Sequence, residues 1–448
     1  MTESRTLFVS IACYRDPELI PTLQSLIDEA QYPQNLHIAV CWQDDNPTSA
    51  LFTDAGMQLV EERVEEDYTL FRFHWRQVQL EVIAVDYRHS QGACWARYMA
   101  ETRFADEDFT LQIDSHCRFI HHWDGEMIAM LEGLRRHSEK PVLSTYPPAY
   151  DPQDDPAKRG QFVSRLIFRE FSKEGLPMLS SVPVKSEQPV RGSYIAGGFL
   201  FAGGRFVREV ANDPQIFFAG EEIAMAARAW THGYDIYTPH KILLWHYYGR
   251  KQANKIWGDH TREAKNVGEV AMGWWERDAI SKKRIRSLFD LEIVPVDPGI
   301  YGLGSARSLR DFGRLIGVDF KRRAVLPEVL GAEKTSVFPP ESWPDDEQWV
   351  QRLISPFRKT VTLKKETVAA LMPTTDWWYL GVYSAGNRLM DEKKLSPEAL
   401  EKSLNISKND EFSLDIQFST APRFDPAVVR LCPFSESGGW GEVLEKPW

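Results

Sequence analysis

The sequence has 448 residues, of which 43% are hydrophobic and 26% are charged, and this composition is typical of globular proteins. Its length favours two or three structural units. The formal net charge of -11 argues against coating of nucleic acid, and no apolar run reaches the roughly 18–20 residues that a membrane helix needs. These features exclude a membrane-spanning protein and a general nucleic-acid-binding protein from our expectations.

The cysteines are few, odd in number and without the spacing of a metal knuckle. We expect them to be reduced thiols in a cytosol-like compartment. The apolar run at residues 7–12 is too short for the hydrophobic region of a signal peptide, which also favours a cytoplasmic location. The cysteines are Cys13, Cys41, Cys94, Cys117 and Cys432.

The first half of the chain alternates predicted strands and helices. Short apolar runs rich in β-branched residues predict buried strands at residues 7–13, 37–42, 80–85 and 109–113. The repeated strand–helix–strand order predicts an α/β fold with right-handed crossovers and a mainly parallel sheet. In such a sheet the ligand lies outside the carboxyl ends of the strands. The acidic residues at these ends are Asp44, Asp86 and Asp114.

Local signals predict where the helices begin. Asp16 is the expected N-cap of a first helix with Pro17 at its first position, and Gly92 opens a second helix. A third helix begins at Glu221 and ends at Gly233.

The rest of the chain has a different pattern. Prolines and charges at residues 150–192 predict a long surface loop of the kind that forms lids. Alternating apolar and polar residues at 412–418 predict strands in a β-rich C-terminal appendage. We therefore expect a catalytic domain at residues 1–325 and an accessory domain at 326–448. Trp377 and Trp378 in the second domain belong either to its core or to a sugar- or peptide-binding face.

A candidate metal site follows the fourth predicted strand. Residues i and i+2 of a strand point to the same side, so Asp114 and His116 can converge on one ion. A mixed oxygen and nitrogen ligand set suits Mn²⁺ better than Ca²⁺. His246, after a later apolar strand, is a candidate third ligand. The alternative is a solvated polar strand end, because Asp-x-His is a common tripeptide.

Further polar groups have two interpretations each. Gly92 at a helix start favours anions, with Arg97 two turns into the same helix, or it opens an ordinary amphipathic helix. Glu221 and Glu222 are either catalytic acids or residues stabilised by the helix dipole. Arg250, after the candidate ligand histidine, either pairs with phosphates or faces water.

Six motifs occur in one order, each at an expected strand or helix start: VSIACYRD (9–16), GACWAR (92–97), QIDSHCRF (112–119), GGF (197–199), FFAGEE (217–222) and WHYYGR (245–250). Together they resemble the cytoplasmic polypeptide-hydroxyproline α-N-acetylglucosaminyltransferase family. That family is similar to the mucin-type polypeptide GalNAc-transferases. The resemblance covers roughly residues 7–250, and the C-terminal appendage resembles nothing we can place.

The resemblance implies a GT-A (Rossmann-like) fold, a UDP-sugar donor, with UDP-GlcNAc favoured, and Mn²⁺ or another divalent cation. Transfer would retain the anomeric configuration and reach a hydroxyl acceptor, with a protein as one candidate. Asp114, His116 and His246 match the metal ligands, and Glu221 and Glu222 match the catalytic acidic pair. The residues expected to bind the donor are Cys13, Arg15, Asp44, Gly92, Arg97, Asp114, Ser115, Tyr248 and Arg250.

Two other classes of function stay open at this point. One is a nucleotide-sugar or glycan-binding protein on the same fold, and the other is a metal-dependent hydrolase of nucleotide sugars. The intact ligand set argues against a sensor. Donor turnover without an acceptor would favour the hydrolase.

Overall fold

The computed structural model describes residues 5–406 and 411–448. The chain divides into two compact units, the first formed by Met1–Gly317 with Glu333–Ser342 and the second by Val318–Ala332 with Trp343–Trp448. The chain therefore passes between the units three times. The boundary predicted after residue 325 lies inside the first segment of the second unit.

The first unit contains a large sheet and two small ribbons. Its strands are β1 (Leu7–Tyr14), β2 (Leu36–Asp44), β3 (Gln58–Val64), β4 (Thr69–Trp75), β5 (Val78–Asp86), β6 (Phe109–Asp114), β7 (Cys117–Phe119), β8 (Pro141–Ser144), β9 (Val163–Phe171), β10 (Pro177–Val184), β11 (Val190–Arg191), β12 (Phe199–Gly203), β13 (Asp235–Thr238) and β14 (Leu244–His246). Its helices are α1 (Leu19–Asp28), α2 (Ala50–Asp54), α3 (Ala93–Glu101), α4 (Trp123–Leu134), α5 (Arg205–Glu209), α6 (Glu221–Thr231), α7 (Ile256–Asp259), α8 (Arg262–Asn266), α9 (Trp274–Leu288) and α10 (Leu309–Ile316).

The large sheet has ten strands in the order β11-β13-β8-β12-β6-β1-β2-β5-β4-β3. The four predicted strands are confirmed as β1, β2, β5 and β6, and they pair in parallel. The expectation of a mainly parallel sheet is wrong, because β12 lies antiparallel between β6 and β8, and β3 and β4 add an antiparallel edge. The sheet is therefore mixed within an α/β fold.

Both faces of the central strands are buried. Along β1, Val9 and Ile11 pack in one apolar cluster with α1 and α4, whereas Phe8 packs in a second cluster with α3. Strands covered on both faces appear in the sequence as continuous apolar runs, which explains why these strands were predictable.

Two local expectations are corrected. Helix α1 begins at Leu19 with Glu18 as its N-cap. The Oδ1 atom of Asp16 still accepts a hydrogen bond from the Glu18 N–H at 3.1 Å, whereas its Oδ2 contacts His116. The segment predicted as an irregular lid contains the antiparallel hairpin β9–β10, whose turn closes through Gly175 in the left-handed region (φ 81°). Pro177 and Pro183 are tolerated in β10 because a two-stranded ribbon leaves half of its backbone donors unpaired.

The second unit is rich in β-structure, as predicted. Its strands are β15 (Val318–Asp319), β16 (Ala324–Val325), β17 (Ser355–Lys364), β18 (Trp377–Ser384), β19 (Leu389–Leu395), β20 (Leu404–Ile406), β21 (Glu411–Thr420), β22 (Pro426–Ser435), β23 (Gly439–Trp440) and β24 (Leu444–Pro447). Its helices are α11 (Pro327–Leu330), α12 (Asp346–Arg352), α13 (Lys365–Leu371) and α14 (Pro397–Ser403). In β21, Leu414, Ile416 and Phe418 are buried, which confirms the period-two prediction.

The two adjacent tryptophans of the second unit differ in burial. Trp378 is fully buried in the core of the second unit, whereas Trp377 is partly exposed and contacts Trp440 at 5.1 Å between ring centroids.

All five cysteines are free and buried, four in the first unit and Cys432 in the second. Each helix in the described part of the chain is too short or too polar to cross a membrane.

Candidate active site

A cavity of about 850 Å³ opens at the carboxyl ends of β1, β2 and β6 in the first unit. The starts of α3 and α6, the end of β14 and the β9–β10 hairpin contribute its other walls. Most of the predicted site residues line it, namely Gly92, Arg97, Asp114, Ser115, His116, Glu221, Glu222, His246, Tyr248 and Arg250. The structure thus gathers residues from all six motifs into one chamber.

The predicted metal ligands lie together on the chamber floor. Asp114 ends β6, and the antiparallel pair β7–β14 brings His246 beside His116. The Oδ2 atom of Asp114 lies 3.1 Å from Nε2 of His246 and 3.9 Å from Nε2 of His116. All three ligand atoms lie within 4.8 Å of one another, so one ion can contact all of them.

Asp16 orients one of these ligands. Its carboxylate is 1% exposed and accepts a hydrogen bond from Nδ1 of His116 at 2.8 Å and another from the Ser115 hydroxyl at 2.6 Å. Burial lowers the pKa of His116, so its ring is neutral at neutral pH with Nε2 as the acceptor nitrogen. Histidines that bind metals usually donate their other ring N–H to a carboxylate in this way, which fixes the tautomer and the orientation of the ring.

The Gly197–Gly198 segment, which precedes β12, leaves room for the acidic ligand. A Cβ atom at Gly198 would lie 2.6 Å from Oδ2 of Asp114. Burial opposes ionisation of Asp114, but the hydrogen bond from His246 and the charge of Arg97 lower the pKa of this carboxyl overall. An ionised carboxylate, two imidazoles and the space in front of them fit a transition-metal ion of the Mn²⁺ type.

Arg97 joins the metal ligands to one of the acidic pair. It is 4% exposed, and its Nη1 donates to Oε2 of Glu221 at 2.7 Å while its Nη2 donates to Oδ1 of Asp114 at 3.2 Å. The Cys94 thiol also donates to Oε2 of Glu221, at 2.9 Å. The side chain of Glu221 is therefore held in place between a guanidinium and a thiol.

Glu222 has a different environment from its neighbour. The Tyr146 hydroxyl donates to its Oε2 at 2.6 Å, and the backbone N–H of Gly197 donates to its Oε1 at 3.0 Å. Burial, reinforced by the charge of Glu221, raises the pKa of Glu222 to about 7. Glu222 can therefore exchange a proton near neutral pH.

Three of the residues expected to bind the donor are absent from the described lining of the chamber. Cys13 belongs to β1, its thiol is fully buried, and burial raises its pKa. Arg15 pairs with Asp259 at 3.1 Å. Asp44 accepts a hydrogen bond from Trp42 at 3.3 Å.

Three residues that contact or line the candidate site were not identified from the sequence. Asp16 had the local signature of a helix cap, and Tyr146 lies after the short strand β8 with no motif around it. Lys255 follows the last motif by five residues and also lines the chamber. Only proximity to a motif could have indicated Lys255, and the sequence held no comparable signal for Tyr146.

Residues 6–322, more than half of the chain, match the family model described as Glycosyltransferase (GlcNAc). The chain belongs to this family. It is therefore a glycosyltransferase, as the motifs implied, and the hydroxyproline-specific branch remains a prediction. No curated protein matches the sequence.

Solved structures with low sequence identity resemble parts of this glycosyltransferase. The crystal structure of GalNAc-T7 with UDP, GalNAc and Mn²⁺ has 14% identity and a TM-score of 0.42, covering 70% of this chain and 54% of that one. This chain thus spans about half of the GalNAc-T7 chain. S. aureus TarS 1-349 has 12% identity and a TM-score of 0.33, covering 63% and 71% of the two chains. Longer S. aureus TarS has 11% identity and a TM-score of 0.35, covering 99% and 77%.

Proposed function

We propose that this glycosyltransferase transfers GlcNAc from UDP-GlcNAc to a hydroxyl acceptor, with retention of configuration and dependence on a divalent metal. The observation that carries the proposal is the placement of Asp114, His116 and His246 in the same chamber as Glu221 and Glu222. The UDP-GlcNAc donor and the GT-A assignment come from the motif resemblance, with which the mixed α/β sheet is consistent.

The three ligands would hold Mn²⁺ or a similar ion. Such an ion, when bound, supplies positive charge to the diphosphate leaving group. The N-terminal turn of α3 also faces the chamber, and the positive end of its helix dipole favours an anion there, while the Ala93 N–H itself donates to the Phe217 carbonyl at 3.0 Å. Gly92 has φ of 121° and packs against the backbone of Phe217. A side chain at position 92 would therefore prevent the first turn of α3 from lying so close to Phe217.

The acidic pair supports front-face attack by the acceptor. Glu221 is engaged by Arg97 and Cys94, which makes it an electrostatic partner for a positively charged sugar centre rather than a free nucleophile. Glu222 lies beside it, held by Tyr146, with a pKa suited to accepting or sharing the acceptor's proton. We therefore propose that Glu222 orients the acceptor, and we propose no covalent intermediate between the sugar and the enzyme.

The β9–β10 hairpin contributes an apolar wall that would exclude water. Leu176, Pro177, Met178 and Leu179 of this hairpin line the chamber. Removing water from around the donor limits its hydrolysis. A hydroxyproline acceptor is inherited from the resemblance, and the free thiols suit a cytoplasmic setting.

Calorimetric titration tests the proposal directly. We expect UDP and UDP-GlcNAc to bind the wild type with Mn²⁺ and to bind far more weakly without it. Asp114→Ala removes the only carboxylate of the ligand set and should abolish the metal dependence. Asp54→Ala, an exposed change in α2, is the matched control and should bind as the wild type does.

Two outcomes would contradict the proposal. Failure of UDP to bind with any divalent metal would remove the donor assignment. Consumption of UDP-GlcNAc that is faster without acceptors than transfer to every acceptor offered would replace the transferase with a hydrolase.

A further inference from the structure

The described lining of the chamber includes five cationic side chains other than histidine, and they differ in how far protein acids neutralise them. Arg97 is paired with Glu221 and Asp114. Lys282 is paired with Glu174 and Asp278, each at 2.8 Å. The remaining three are Lys173, which is exposed, Arg250 and Lys255.

Arg250 is already engaged. Its Nη2 lies 2.9 Å from Oδ2 of the buried Asp16, a contact that a metal ion on His116 would leave in place. Its Nη1 also donates to Nε2 of His116 at 3.2 Å, the nitrogen that such an ion would take instead. The guanidinium thus neutralises the carboxylate that orients the metal ligand. Because Asp16 neutralises much of the positive charge of Arg250, this guanidinium is a weak candidate for the second cation that would bind an anionic ligand beside the metal.

Lys255 lies five residues further along the same wall and is half-buried. Within the described chain its ammonium group has no hydrogen bond or ion pair. Burial lowers the pKa of Lys255, and the charge of Arg250 acts in the same direction, while Asp16 and Asp114 oppose them. A half-buried ammonium without a counter-ion costs free energy unless an anion joins it.

We propose that Lys255 binds the terminal phosphate of a nucleoside diphosphate in this chamber and stabilises that phosphate as it leaves. The inference rests on the proposed function and assigns the second cation to Lys255 in place of Arg250. A lysine suits this position because its compact charge can contact any of the phosphate oxygens. Charge that is fixed where the leaving group develops its own charge lowers the barrier to transfer.

The test compares UDP with UMP, which lacks the terminal phosphate. In calorimetric titrations with Mn²⁺, Lys255→Met should weaken UDP binding by about ten- to one-hundredfold, the range for a lost charge-assisted hydrogen bond. UMP binding should change less than about twofold, which also shows that the variant is folded. Lys255→Arg should recover most of the UDP affinity, and Lys251→Met, an exposed neighbour, should bind UDP as the wild type does.

The contrary results separate two failures. If the wild type binds UDP and Lys255→Met binds it equally well, or loses UDP and UMP alike, the assignment of Lys255 is wrong while the donor assignment stands. If the wild type binds no UDP with metal present, the proposed function itself fails.

Discussion

At the scale of single residues, the chamber depends on the absence of one side chain. Gly198 lies against the Asp114 carboxylate, where an added Cβ would meet Oδ2 at 2.6 Å and Cγ at 3.3 Å. The backbone of Gly198 is not in the left-handed region, so alanine can adopt the same conformation at this position. A substitution at Gly198 would therefore disturb the candidate metal ligand Asp114 rather than the fold.

We predict that Gly198→Ala lowers Mn²⁺ affinity by about ten- to one-hundredfold, as changes next to a metal ligand usually do. The physical reason is that the carboxylate must move away from the two imidazoles. Titration of Mn²⁺ followed by calorimetry measures the effect. Gly133→Ala is the control, because this position of α4 is exposed and an added Cβ would meet nothing within 4 Å. It should keep Mn²⁺ binding and add up to about 1 kcal/mol of stability. Equal Mn²⁺ affinity in both variants would contradict the prediction.

Single residues also show where sequence reasoning reached its limit. Asp114, His116 and His246 were identified because each follows an apolar strand, and the structure brings them together. Asp16 was interpreted as a helix cap, since the local pattern of Asp, Pro and Glu accounts for it completely. Its contact with His116 joins residues one hundred positions apart, and no local signal reports such a contact.

At the scale of elements, the amino end of β2 carries a charged cluster on the side of the sheet away from the chamber. His37 contacts Glu107 at 2.5 Å and Glu81 at 3.3 Å, and Glu81 of β5 also accepts hydrogen bonds from Arg72 and Arg103. Burial opposes the charge on His37, but the two glutamates outweigh it and raise its pKa to about 9.

This cluster predicts a pH-dependent stability. The pKa of His37 is raised above its usual value near 6.5, so its contribution is complete below that value and is lost as the pH rises through about 9. We expect His37→Gln to lower the free energy of unfolding of the first unit by about 3 kcal/mol at pH 6 and by little at pH 9.5. Urea unfolding at both pH values measures this difference.

The control for the charged cluster is His137→Gln, at an exposed position beyond α4, which should have little effect at either pH. A loss of stability by His37→Gln that is equal at pH 6 and pH 9.5 would show that packing, not charge, is responsible.

The predictability of each element follows from how it is buried. Strands β1, β2, β5 and β6 lie between two helical layers, so their apolar runs identified them. The apolar run of the β9–β10 hairpin is only three residues long, 166–168 in β9, and β10 contains two prolines, so these residues were interpreted as a loop. The antiparallel insertion of β12 depends on long-range pairing with β6 and β8, which periodicity cannot reveal.

At the scale of the whole molecule, the two units are not successive segments of the chain. Residues Glu333–Ser342 return to the first unit, where the Ser193 hydroxyl donates to the backbone of Ser336 and the N–H of Phe338 donates to Leu315 at 2.7 Å. A division of the sequence by composition places these residues with the C-terminal part.

We predict that a chain ending at residue 342 unfolds at a higher temperature than one ending at residue 325. The shorter chain loses five hydrogen bonds between the returning segment and the rest of the first unit, three of them from Arg165. Each is worth about 1 kcal/mol, so the midpoint of the shorter chain should fall by roughly 10 °C. Calorimetric melting of the two chains beside the full-length protein measures the shift. Equal midpoints would show that residues 333–342 add nothing to the first unit, and the simple boundary after residue 325 would then suffice.

The placement of the cysteines gives the protein an internal reporter of its own motions. Four buried thiols lie in the first unit and one in the second, and burial raises the pKa of Cys13, Cys41, Cys94 and Cys117, so none is a ready nucleophile in the folded state. A thiol reagent can label each of them only when the surrounding structure opens. The labelling rates of separate peptides therefore measure how often each unit opens, without any introduced probe.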